Sequence, residues 1–205
     1  MPNITNLRRT IGSYLGQVIT PEIAAAIEVS SVVDTPTLNY HPEQHGSLTC
    51  GEFVIQVELM ADILAELHPL HAEHWLETEK HRHGLTMDPD YTSMLADERA
   101  GRLIQFTVRK AGALVGNLRM YVRESRHTKT LMAMEDTLYL RPDARGGMTA
   151  VYLLRFAEKT LRAIGVREIE ADSKLLNNAD TLMRRLKYQP VAIRFSKIFK
   201  EDCHV

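Results

Sequence analysis

From residue 53 onward the chain switches between two hydrophobic periods. Residues 53–57 carry apolar side chains at the spacing of a half-buried strand, and Leu59, Ile63, Leu64 and Leu67 then recur at helical spacing. Pro69 lacks a backbone donor and is expected to kink or end that helix, with a second helical stretch over 71–81. Residues 89–99 predict a short helix with Asp88 as its N-cap. Three strands follow, over 103–108, 113–122 and 131–140. Ala111-Gly112 forms a tight turn between the first two, and a charged loop over 123–129 precedes the third. The period then returns to that of a helix. Leu153, Leu154, Ala157 and Leu161 make one stripe over 151–164, which Gly165 stops. A strand over 168–171, an amphipathic helix over 180–186 and an alternating strand over 191–199 complete the pattern. This order predicts an α+β fold with a mixed, mostly antiparallel sheet and helices on both faces.

Residues 1–50 read differently. Thr20 and Pro21 suit an N-cap and first helical position leading into 23–27. Pro36, Pro42 and Gly46 then punctuate a polar stretch over 30–47 with no sustained period. The organisation expected is an N-terminal appendage over 1–50 and a main domain over 51–205.

Composition adds little: 44% hydrophobic and 25% charged residues are ordinary for a globular chain. Cys50 and Cys203 lie too far apart for a disulfide framework or zinc spacing, and the expected setting is cytoplasmic. Neither a signal-peptide pattern nor a membrane span is visible. Charge does change the picture. Residues 1–140 hold 12 Lys and Arg against 18 Asp and Glu, whereas residues 141–200 hold 13 against 6. The basic third points to an anionic partner, a phosphate-bearing cofactor or nucleic acid. Of the two, nucleic acid is the weaker expectation.

The chemistry concentrates where the third strand meets the next helix. Leu138, Tyr139 and Leu140 feed a turn containing Arg141, Arg145, Gly146 and Gly147, and Met148, Thr149 and Ala150 open the helix. Amides at a helix start have no intrahelical acceptor, and the macrodipole adds positive potential there. Two glycines remove side-chain bulk so that a diphosphate can approach the main chain.

This turn resembles the pyrophosphate motif of the GNAT N-acetyltransferases, Gln/Arg-x-x-Gly-x-Gly/Ala, with Arg145 at its first position and Ala150 at its last. The similarity continues through Leu153-Leu154, Ala157-Glu158 and Gly165, and downstream through Ala179, Leu182, Leu186, Tyr188 and Pro190. His74-Trp75, 131–136 and Ser173-Lys174 look closest to a bacteriophage-type branch. The resemblance implies acetyl-CoA as cofactor, held by Leu138, Tyr139, Leu140, Arg145, Gly146, Gly147, Met148, Thr149 and Ala150. It implies transfer of acetyl to a primary amine of a protein or small molecule, with His74 and Trp75 lining the acceptor side. Met148 stands where the motif has its central Gly, Met183 where many members have a tyrosine acid, and Lys187 where a Gly usually precedes the aromatic. A second reading is therefore a GNAT scaffold that docks on another protein, a host protein for a phage-encoded chain.

Transfer to an amine requires a base for the ammonium proton. Glu135 and Asp136 lie on the strand that feeds the turn, and as neighbours they face opposite sides of the sheet. Either carboxylate is a candidate base, directly or through water, and Tyr139 a possible acid. Five histidines, 68, 71, 74, 81 and 83, cluster in sequence, but Pro69 interrupts their helix and no metal site is expected.

Overall fold

The computed structural model describes residues 10–31, 41–80, 85–174 and 179–198. The chain divides into two compact units, 1–38 and 39–205. The first contains helix α1, Pro21–Ser31. Its start carries the expected cap, with the Ile23 amide donating to Thr20 Oγ1 at 3.4 Å.

The second unit is built on one six-stranded sheet in sequential order. Strands β1 (Ser47–Cys50), β2 (Phe53–Val57), β3 (Leu103–Lys110), β4 (Ala113–Glu124) and β5 (Leu131–Leu140) are antiparallel neighbours; β6 (Glu168–Glu170) joins β5 in parallel. The sheet thus begins at Ser47, ahead of the first strand visible in the sequence pattern. Ala111 and Gly112, both with positive φ (47° and 84°), make the tight β3–β4 turn.

One face of the sheet carries helices α2 (Met60–Thr78) and α3 (Tyr91–Arg99). Met60, Ile63, Leu67 and Leu70 of α2 pack on Leu103, Leu114 and Tyr139, with Tyr91, Met94 and Leu95 alongside. The other face carries α4 (Thr149–Ala163), whose Phe156 meets Phe106 of β3 edge to face at 6.2 Å. Helix α5 (Ala179–Arg185) follows β6. Gly165, at φ 96°, ends α4 with the Val166 amide reaching back to the Leu161 carbonyl, a Schellman-type stop.

Three expectations are corrected. Pro69 neither ends nor divides its helix, and α2 runs through it. Pro69 and Ala65, whose carbonyl loses its donor, both lie on the solvent side, where that carbonyl can be hydrated. Helix α3 is capped by Asp90, which accepts from the Ser93 amide at 2.9 Å, not by Asp88. Residues 191–198 form no strand: Val191, Ile193 and Phe195 are 84%, 80% and 88% exposed. Among the described residues, no helix is long and apolar enough to cross a membrane.

Candidate functional site

The site begins where the two parallel strands part. β5 and β6 pair at Met132–Glu168, Ala133–Ile169 and Met134–Glu170, and no further. From Glu135 to Leu140 that edge of β5 has no strand beside it among the described residues. The other edge stays paired with β4 up to Gly116–Leu140. Glu135 marks the apex of this fork, where its Oε2 accepts the Asp172 amide at 3.2 Å. Its side chain points to the α4 face, into a cavity lined by Leu118, Met120, Leu154, Ala157 and Tyr188. Burial pushes the Glu135 carboxyl up to about 7, with the Asp172 amide opposing the shift.

Asp136 faces the other way, as adjacent strand residues must. It is partly exposed and ion-paired with the buried Arg119, whose Nε lies 2.8 Å from Asp136 Oδ2. Arg119 also donates to Thr137 Oγ1 at 3.1 Å. A register shift at Arg119/Met120, opposite this stretch of β5, accompanies the change of face.

At the far end of the open edge, Leu140 leads into a short 3₁₀ turn, Pro142–Ala144, and then into the glycines. Gly146 and Gly147 adopt φ of 109° and 57°, and a Cβ at either would meet nothing within 4 Å. Their conformations aim the main chain at open space, which side chains would otherwise occupy. Met148 is the N-cap of α4, and its side chain makes no capping bond. The first amide of the helix with a partner is that of Tyr152, bonded to the Met148 carbonyl. Amides from Gly146 to Val151 thus find no acceptor among the described residues. They border an open cleft of about 520 Å³ lined by Leu140, Arg145, Gly146, Gly147, Ala150, Val151, Thr181, Leu182 and Arg185. Thr149 is buried beneath it.

The two arginines of the turn do something the sequence did not suggest. Arg141 forks onto Glu73 (2.9 and 2.9 Å), and Arg145 forks onto Glu77 (2.8 and 2.6 Å). Arg145 Nε also donates to the Leu140 carbonyl at 2.7 Å, and its guanidinium lies 5.2 Å from the Tyr139 ring centre. Hydrogen bonding to these carboxylates holds both guanidinium groups above their ordinary values and Glu77 below its own. The charge of both arginines is already matched. Arg185, at the end of α5, reaches the cleft without meeting a carboxylate among the described residues; its Nη2 lies 3.3 Å from Met148 Sδ. In the sequence, Arg185 is one of six basic residues, with Arg155, Lys159, Arg162, Lys174 and Arg184, of which one or two are expected to reach the 3′-phosphate of coenzyme A, with nothing to choose among them.

His74 stacks obliquely on Tyr139, ring centres 5.2 Å apart, and burial lowers its pKa. Trp75 follows it on α2, half-buried. Tyr139 is therefore a buried link between α2 and Arg145. Its phenol is held above its usual range chiefly by burial. His71 is buried against Tyr91, with its Nδ1 3.0 Å from the phenol oxygen, and burial pushes it down to about 3. His81 and His83 lie outside the described residues. Met183 is buried in the core.

No protein-family model matches the sequence, and no match was found among curated proteins. Solved structures do match. One is an aminoglycoside acetyltransferase from an uncultured soil metagenomic sample, in complex with sisomicin. It has 14% identity and a TM-score of 0.59, over 73% of this chain and 97% of that one. The fold is the GNAT acetyltransferase fold. A ribosomal-protein-alanine N-acetyltransferase from Brucella melitensis biovar Abortus shares it at 17% identity and a TM-score of 0.53, over 72% and 98% of the two chains. So does an aminoglycoside N-acetyltransferase in complex with CoA, at 17% identity and 0.54, over 77% and 97%. The forked β5–β6 edge and the amide-lined turn are parts of this chain's version of the GNAT fold.

Proposed function

We propose that the protein is an acetyl-CoA-dependent N-acetyltransferase that acts on a primary amine by direct transfer. One observation carries the reading: a single open strand edge joins the amide-lined turn to a half-buried carboxyl group. From Leu140 to Glu135 is five residues, roughly 17 Å at the rise of a strand. An extended pantetheine arm covers such a span, so a diphosphate at the turn brings the thioester to the fork.

The residues fit that cofactor. Amides of 146–151 hold the diphosphate, with Gly146 and Gly147 leaving room for it. Along Leu138, Tyr139 and Leu140, the strand edge that faces away from β4 offers strand-like hydrogen bonds to the arm. Bound acetyl-CoA supplies an activated acetyl group. Glu135 is the base: it accepts the proton that the ammonium of the acceptor must lose before nitrogen attacks the carbonyl. Attack on the thioester would leave the acetyl group on nitrogen and release coenzyme A as its thiolate, which would take up the second proton lost by that nitrogen. Asp136, bound to Arg119 on the opposite face, is read as structural.

His74 and Trp75 bound the acceptor side in this reading. Structural neighbours in complex with an aminoglycoside, or named for a ribosomal-protein alanine, suggest two acceptors for a first panel. The phage-type resemblance adds a host protein. A second reading, a docking scaffold without turnover, draws on Met183, buried where the resembling family has its tyrosine acid.

Binding and turnover test the proposal separately. Acetyl-CoA at one hundred times its Kd should raise the melting temperature by about 5 °C or more, since it binds only the folded state. Gly147→Asp should abolish that shift, while Gly147→Asn, which adds the same bulk without charge, should reduce it less. At φ 57° both side chains suit the backbone, so only the added charge differs. No shift for the unaltered protein at millimolar acetyl-CoA would overturn the assignment. Binding without thioester consumption across the amine panel would leave the scaffold.

A further inference from the structure

The geometry points to Met148 and Arg185 as one device: the thioether seats the guanidinium over the α4 N-terminus, where it binds the cofactor diphosphate. This deepens the reading above and rests on it.

The cleft beside the turn is lined by two cations and no anion. Arg145 is one, but its fork is filled by Glu77 and its Nε by the Leu140 carbonyl. Arg141 is likewise matched by Glu73. The charge that the motif arginines bring in sequence is spent on α2. Arg185 remains. Its one described bond is to sulfur, 3.3 Å away. A thioether is a weak acceptor with no charge, so it orients the guanidinium without neutralising it.

Position supports the assignment. Met148 is the N-cap of α4, flanked by Gly147 and by the unpartnered amides of the first turn. A guanidinium held at its sulfur lines the same cleft as those amides. An anion settling on them meets charge from a second side, in a fork suited to phosphate oxygens. The departure at Met148, where the resembling motif has Gly, thereby gains a purpose. The bulk that narrows access to one amide carries a full positive charge to the same place.

The experiment is a set of acetyl-CoA dissociation constants by calorimetry for the full chain, Arg185→Gln, Arg185→Lys, Met148→Gly and the double variant Met148→Gly/Arg185→Gln. Arg185→Gln should weaken binding about tenfold, the scale of a charged hydrogen bond. Arg185→Lys should recover part of the loss, because it keeps the charge and not the fork. Met148→Gly should weaken binding about threefold, and the double variant should be no worse than Arg185→Gln alone, because the two act as a unit. Acetyl-dephospho-CoA should show the same tenfold loss with Arg185→Gln, whereas acetyl-pantetheine, which has no phosphate, should show none. Wild-type affinity for Arg185→Gln, or tighter binding by Met148→Gly, overturns the device while leaving acetyl-CoA binding intact. A loss that vanishes with acetyl-dephospho-CoA overturns it as well, by moving Arg185 to the 3′-phosphate. If the unaltered protein binds no acetyl-CoA, the reading beneath fails instead.

Discussion

Burial under α4 keeps the Glu135 carboxyl protonated to about pH 7, and that has two measurable consequences. The first concerns stability. The folded state retains a proton that the unfolded chain releases near its ordinary value of 4.5. Stability therefore falls as pH rises from about 4.5 to about 7 and levels off above, by at most roughly 3 kcal/mol. Glu135→Gln should flatten this slope in denaturation midpoints measured across that window. The second concerns rate. As base, Glu135 acts ionised, so kcat/KM should rise through about pH 7. The Gln variant should lose that limb and about two to three orders of magnitude in kcat. A variant with unchanged rate and pH profile would remove Glu135 from the chemistry. The sequence already placed Glu135 and Asp136 on opposite faces, because adjacent strand residues alternate. It could not say which face held α4, or that Arg119, seventeen residues earlier, would engage Asp136. Those facts come from strand register, which hydrophobic period does not encode.

Helix α2 shows what an element can conceal in its sequence. Its N-cap is Leu59, which has no side-chain oxygen, and no capping pattern announces the start. The missing acceptor is Glu98, at the end of α3, whose carboxylate takes the amides of Met60 and Ala61, the latter at 3.0 Å. Burial raises the Glu98 pKa, with the two amides opposing it. Glu98→Ala would leave the buried Met60 amide and the part-buried Ala61 amide unmet and should cost about 1–3 kcal/mol in chemical denaturation. A loss within a few tenths would show that water replaces the cap. A partner thirty-eight residues away cannot be found by scanning for local signals. Helix α4 was readable for the opposite reason: its apolar stripe, small-residue start and Gly165 stop all lie within its own span. The segment 191–198 alternates like a strand, yet Val191, Ile193 and Phe195 are exposed. Its periodicity records a local preference that no neighbouring strand meets among the described residues.

Across the whole sheet, the fold class follows from the order of periods alone, whereas the fork depends on where pairing stops. Gly116 illustrates how closely strand ends and cleft are joined. A Cβ there would lie 2.2 Å from Leu140 Cδ2 and 2.9 Å from the Tyr139 carbonyl oxygen. The leucine tip can turn away, but the strand cannot withdraw without moving the edge proposed to hold the cofactor arm. Gly116→Ala should therefore cost about 1–3 kcal/mol of stability and weaken acetyl-CoA binding as well. Melting curves with and without cofactor separate the two effects; a stability loss with unchanged affinity would show that the edge is insulated from β4.

Two rungs, Glu73 to Arg141 and Glu77 to Arg145, are spaced four residues apart on both rails. Each pair is partly exposed and adds little to folding on its own. Mechanically they matter more, for the glycine turn cannot shift without pulling on the end of α2 that bears His74. An amine that gains affinity when the turn is filled must, in return, tighten the grip on whatever fills it, by the same factor. In the proposed enzyme, cooperativity between the two substrates would run through these four side chains.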